Sequence, residues 1–162
     1  MYVITDGLSK RNKRFEYLCC LSQEALKKTL KKELKDMGRE VIEGDGYLYS
    51  DGSLPVLLTA HLDTVHKELP KEIVYAKGTI SSTQGIGGDD RCGVYMIMKI
   101  LKKLDCKVVF CEDEEIGCVG SEKFVRTEIC KGLSTNNLNY VIELDRANAT
   151  DAVAYNCDNY EF

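Results

Sequence analysis

Apolar positions along the chain follow two rhythms, and their alternation predicts the architecture. From Ser22 to Met37, residues Ala25, Leu26, Leu30, Leu34 and Met37 recur at helical spacing, with Ser22 placed as N-cap and Gly38 as a stop. Lys27, Lys28, Lys31, Lys32 and Lys35 occupy the other face of that helix and read as a solvated surface. Phe15 to Leu21 is apolar-rich and opens a helix, or a turn, ahead of it. Val94 to Leu104 repeats the helical rhythm through Met96, Ile97, Ile100, Leu101 and Leu104. Ser121 to Ile129 reads as a further helix, capped by Ser121 and ending before Lys131-Gly132.

The second rhythm is the short unbroken apolar run. Pro55 to Ala60, Lys107 to Cys111 and Asn139 to Leu144 each suit a strand buried on both faces. Val41 to Glu43 and Tyr47 to Tyr49 flank Gly44-Asp45-Gly46 in the manner of a β-hairpin. Thr79 to Gly88 is polar and glycine-rich and reads as a loop. Strands alternating with helices predict an α/β fold, a three-layer sandwich around a mixed, largely parallel central sheet.

Composition narrows the possibilities. A chain of 162 residues, 44% hydrophobic and 30% charged, suits a single globular domain. A formal charge of -4 argues against nucleic acid or an anionic membrane as partner. No run approaches the roughly 20 apolar residues of a membrane span. The start, Met1 to Asp6, lacks the features of a secretion signal, so a cytoplasmic setting is expected. The eight cysteines include no C-x-x-C pair, and several lie in apolar runs such as Val108-Val109-Phe110-Cys111. They read as small buried hydrophobes; a thiol redox protein would rest on their number alone.

Chemistry gathers where the strands end. Pro55–Ala60 runs into His61-Leu62-Asp63, Lys107–Cys111 into Glu112-Asp113-Glu114-Glu115, and Asn139–Leu144 into Asp145. Asp89-Asp90 follows Gly87-Gly88 and opens the Val94–Leu104 helix. Ligands of open α/β sheets bind outside the carboxyl ends of the strands. Three adjacent strands would therefore deliver one imidazole and several carboxylates to one crevice. Such a crowd of like charges calls for a divalent cation, and imidazole with carboxylate oxygens suits zinc, manganese or cobalt. Residues two apart on an extended chain point the same way, so Asp63 can take the spare N–H of His61 and fix its tautomer. Taken singly, each element has a plainer meaning: a core histidine, a solvated acidic turn, a helix cap. Their joint arrival at strand ends is what points to a metal site. Arg146 and Asn148, just beyond Asp145, suit either substrate contact or a structural ion pair.

The segments H-L-D-T-V (His61 to Val65), G-G-D-D-R-C-G (Gly87 to Gly93), D-E-E-I-G (Asp113 to Gly117) and E-L-D (Glu143 to Asp145) carry a family likeness. In this order they resemble the co-catalytic dinuclear zinc peptidases: peptidase T, carboxypeptidase G, the aminoacylases and the related zinc aminopeptidases. The resemblance runs from Ser22 through nearly all of the remaining chain. It implies His61 and Asp145 as ligands of a first metal, Asp63 as the partner orienting His61, and Asp89 as the carboxylate bridging two metals. It further implies Glu114 as general base and Glu115 as a ligand of the second metal. A cis peptide often follows the bridging Asp in this group, which makes Asp89–Asp90 a candidate. The activity implied is hydrolysis of a small peptide or an acyl-amino acid at its amide bond, by a water held between two divalent metals, most simply zinc. The group takes one more ligand to the second metal from a later histidine, whereas this sequence holds only His61 and His66. His66, on the loop leaving the first strand, reads as an exposed loop residue. The expectation is one catalytic-type domain over 1–162, incomplete at its C-terminus and without a lid or dimerisation insert. A rival expectation is a non-catalytic binding or oligomerisation domain that keeps the fold with an incomplete metal site. Substrate side chain and oligomeric state are not legible in the sequence.

Overall fold

The computed structural model describes residues 2–5, 11–135, 138–146 and 153. In chain order the elements are β1 (Tyr2–Thr5), α1 (Lys13–Cys19), α2 (Gln23–Asp36), β2 (Ile42–Gly44), β3 (Tyr47–Ser50) and β4 (Leu54–His61). There follow β5 (Glu72–Ala76), β6 (Thr79–Ser81), α3 (Gly88–Ile100), β7 (Cys106–Cys111), α4 (Val119–Val125), α5 (Glu128–Thr135) and β8 (Tyr140–Glu143). The main sheet has the order β2-β3-β7-β4-β8. Its β7, β4 and β8 are mutually parallel neighbours, while the β2–β3 hairpin joins antiparallel. This is the mixed α/β sheet expected from the sequence.

Alternation along the strands divides the core in two. On one face Leu48, Leu58, Ala60, Cys106, Val108 and Phe110 meet Leu18 of α1, Leu26, Leu30 and Leu34 of α2, and Val94, Ile97 and Met98 of α3. On the other, Tyr47, Tyr49, Leu57, Val109 and Cys111 meet Phe124 of α4 and Leu133 of α5. Two helical layers thus enclose the sheet. Helix α2 forms where its pattern places it: the Ser22 hydroxyl accepts the Ala25 N–H at 3.2 Å, and Gly38 takes φ +80° just beyond the C-cap. Leu26, Leu30 and Leu34 are fully buried, each contributing on the order of 2 kcal/mol.

Three expectations need correction. Thr79–Ser81 is not loop but β6, paired antiparallel with β5 across Lys77-Gly78. Both turn residues have positive φ, 51° and 81°, the geometry of a tight hairpin turn. These strands and the parallel β1 form a second, three-stranded sheet. Next, the helix expected over Ser121–Ile129 is two helices. The Thr127 hydroxyl accepts the Cys130 N–H at 3.2 Å and so starts α5, while Ser121 lies inside α4 and donates to the Cys118 carbonyl. Finally, among the described residues β8 lies at the edge of the sheet, with Tyr140 and Val141 65% and 62% exposed rather than buried. No helix among the described residues is long and apolar enough to cross a membrane.

Candidate metal centre

Because β7, β4 and β8 are parallel and adjacent, their carboxyl ends open along one edge of the sheet. His61 is the last residue of β4 and sits opposite Cys111, the last of β7. Glu143 ends β8 opposite Thr59, with Asp145 two residues on. The N-terminus of α3 brings Asp89 to the same edge. Two ligand-competent groups result, His61 with Asp89 and Asp145, and His61 with Glu114 and Glu115, the atoms of each group lying within 4.8 Å of one another. The structure therefore brings together all five residues expected as metal ligands or base, with His61 common to both groups.

The sixth, Asp63, stands behind the imidazole. Its Oδ1 is 3.1 Å from His61 Nδ1, and a carboxylate can only accept, so Nδ1 carries a proton. The Asp63 oxygens also accept the backbone N–H groups of Glu114 at 3.0 Å and Glu115 at 2.9 Å. One carboxylate thus ties the His61 strand to the acidic loop. His61 Nε2 faces outward, 2.9 Å from Asp89 Oδ1. The peptide bond joining Asp89 to Asp90 is cis, as the motif suggested.

Crowding shows in the proton affinities. Burial alone would lower the His61 pKa, but hydrogen bonds to Asp89 and Asp63 outweigh it and the pKa is raised. Glu115 and Asp145 are raised by burial and then by the neighbouring Asp89, and Glu143 by burial and then by Asp145. A bound cation would oppose these upward shifts, because a nearby positive charge favours ionised carboxylates and a neutral imidazole. One imidazole among hard carboxylate oxygens fits a divalent zinc, manganese or cobalt ion.

Two residues escaped the sequence reading. Asp90, 2% exposed, accepts the His61 N–H at 3.2 Å and the Gly93 N–H at 2.9 Å, and burial pushes its pKa up to about 8. Its acceptance of the Gly93 N–H is the helix-capping pattern suggested by Asp89-Asp90, a pattern that does not mark which of the two turns inward. Arg91, 3% exposed, donates to the carbonyls of Leu62 and, at 3.1 Å, Leu21. It pins the residue between His61 and Asp63; its Nε has no hydrogen-bond partner among the described residues. His66 is exposed, with its ring against Gly85, and belongs to neither ligand group. Arg146 is exposed just past Asp145, and Asn148 lies outside the described residues.

Comparison with known proteins bears on the family and the fold. The model of peptidase family M28 matches residues 9–159. Among solved structures, aminopeptidase PepT from Bacillus cereus superposes with a TM-score of 0.61 at 22% identity, covering 82% of this chain and 42% of that one. Human carnosine dipeptidase 1 superposes with a TM-score of 0.59 at 14% identity, covering 83% and 38%. At these identities the likeness is one of fold, and the chain spans about two fifths of the length of either structure. Among curated proteins none matches the sequence.

Proposed function

Because the chain belongs to peptidase family M28, we propose that it supplies the metal-binding part of a cytoplasmic hydrolase that cleaves the amide bond of a small peptide or an acyl-amino acid. The observation that carries this reading is the meeting of His61, Asp89, Glu114, Glu115 and Asp145 around one imidazole at the carboxyl ends of three parallel strands. An aminopeptidase and a dipeptidase share the fold, which supports small peptides as the substrate class.

In this reading His61 and Asp145 would hold a first divalent metal and Glu115 a second, with Asp89 contributing to both, zinc being preferred over manganese or cobalt. When bound, the metals supply a lowered pKa for water and polarisation of the amide carbonyl. Asp63 would keep a proton of His61 on Nδ1, so that the proton shared between Nε2 and Asp89 is the one a metal would replace. Asp63 also sets the backbone from which Glu114 and Glu115 project. Glu114 takes a proton from water as its oxygen bonds to the amide carbon, then gives that proton to the departing amine as the C–N bond breaks.

One observation favours the rival reading of a fold-retaining domain with an incomplete site. No second imidazole joins Glu115 among the described residues, and His66 stands apart. Calorimetric zinc titration of the parent and its His61→Ala variant, with metal content measured on each, separates the two. Tight binding lost in the variant supports the hydrolase. Absence of binding in both supports the fold-only domain.

A further inference from the structure

Helix α2 carries a lysine-rich face, yet its lysines are not equivalent. Lys28 and Lys32 are 72% and 77% exposed at the side chain and pair locally with Glu24 and Asp36. Lys27 is only 10% exposed and reaches away from its own helix, donating to Glu112 Oε2 at 2.5 Å and to the Gly44 carbonyl at 3.3 Å. The expected solvated face therefore excludes Lys27. One turn earlier, on the same side of the helix, the Gln23 carboxamide makes a reciprocal pair with Asp113. Its Nε2 donates to Asp113 Oδ1 at 2.8 Å and its Oε1 accepts the Asp113 N–H at 3.1 Å. Two successive residues of the acidic loop are thus gripped by two residues of α2. An ammonium group leaves water at a cost, so its pairing with Glu112 is a committed contact rather than an incidental one.

We infer that Gln23 and Lys27 are positioning residues for the metal centre, holding the loop so that Glu114 and Glu115 face His61. The backbone of Asp113 explains the need. Its φ is +60°, a left-handed conformation that costs an ordinary residue about 1 kcal/mol or more. Gln23 binds both the main-chain N–H and the side chain of Asp113 in this conformation. The next two amides donate to Asp63. The loop is therefore held from the strand side by Asp63 and from the helix side by Gln23 and Lys27. Released at Asp113, the carboxyl groups of Glu114 and Glu115 would swing together, because they follow the same turn. Asp63 answers also to His61, whereas the α2 grip is independent of the imidazole.

This inference rests on the proposed metal centre, and its test keeps the two apart. Gln23→Met keeps the side-chain length and removes both hydrogen bonds. Gln23→Glu keeps only the acceptor. Lys28→Ala, on the exposed side of α2, is the control. Two quantities are measured, amide hydrogen exchange at Glu114 and Glu115 in metal-free protein, and cobalt(II) affinity from visible absorption. Gln23→Met is expected to speed exchange at these two amides about tenfold and to weaken cobalt binding about 10- to 100-fold, leaving protection in β4 and β7 unchanged. Gln23→Glu, whose carboxylate would face that of Asp113, loosens the loop at least as much as Gln23→Met, and Lys28→Ala matches the parent. Unchanged protection at Glu114 and Glu115 overturns the inference. So does unchanged cobalt affinity despite faster exchange, or a loss of protection spread equally through β4 and β7. A parent that takes up no cobalt refutes the metal centre by itself, while the exchange result still decides whether Gln23 holds the loop.

Discussion

The carboxylate of Asp63 receives the Nδ1–H of His61 at 3.1 Å while its two oxygens also receive the amides of Glu114 and Glu115. A single side chain thereby fixes the imidazole and the acidic loop in one frame. Asp63→Asn keeps the shape but replaces an acceptor oxygen by a donor, so at least one of the three donors loses its partner. Zinc affinity is expected to fall about 10- to 100-fold. Urea denaturation of the metal-free variant should show a loss of about 1–3 kcal/mol. Zinc affinity equal to that of the parent would remove Asp63 from this role.

The reach of the sequence follows from what periodicity can encode. Helix α2 and strands β4 and β7 were legible because burial on a defined face imposes a period, and His61, Asp89, Glu114, Glu115 and Asp145 because each follows or precedes such an element. Lys27 was not, since in sequence it is indistinguishable from Lys28 and only the position of Glu112 separates them. Asp90 was hidden by Asp89: two adjacent carboxylates carry no mark of which one turns inward. The β5–β6 hairpin was missed because Ile73-Val74-Tyr75-Ala76 is an apolar run of only four residues, flanked by Lys71-Glu72 and Lys77. The apolar run of β8 matches that of a central strand, and nothing in such a run states whether its faces are covered here.

Zinc binding should depend on pH in a defined direction. His61, Glu115, Asp145 and Glu143 all hold their protons to higher pH than usual. Zinc must displace those protons, so affinity falls as pH drops through the raised pKa values and recovers above them. The rise in Tm on adding zinc is expected to be larger at about pH 7.5 than at about pH 5.5. Titrations in two buffers of different ionisation heat should show net proton release. Proton-neutral binding would place the metal on other groups.

The last glycine of the G-G-D-D-R-C-G segment is required by close approach. A Cβ on Gly93 would lie 2.3 Å from Asp90 Oδ1 and 2.5 Å from the Leu144 carbonyl, whereas one on Gly88 would meet nothing nearer than 3.7 Å. Gly93→Ala must move either the buried carboxylate or the end of β8. It should cost about 1–3 kcal/mol in urea denaturation and weaken zinc binding, since both Asp89 and Asp145 adjoin the displaced atoms. Gly88→Ala should leave zinc affinity as in the parent. Equal behaviour of the two variants would show that α3 and β8 are not packed as described.

Thiol chemistry separates the buried cysteines from the exposed ones. Burial pushes the Cys19 and Cys111 thiols up to about 12, and Cys106 is also buried and raised. At about pH 8 a thiol of pKa near 12 is roughly one part in ten thousand thiolate, and the thiolate is the reactive form. Cys118 is exposed in the turn before α4 and so open to reagent, its thiol raised by desolvation and by its hydrogen bond to Glu114. Iodoacetamide should therefore label Cys118 in the folded protein and reach Cys19, Cys106 and Cys111 only after denaturant is added, as read by peptide mass mapping. Labelling of Cys19 as fast as Cys118 in the folded state would contradict the packing of α1 against α3 and the sheet. It would also reopen a redox role for Cys19, Cys106 and Cys111, which their burial otherwise argues against.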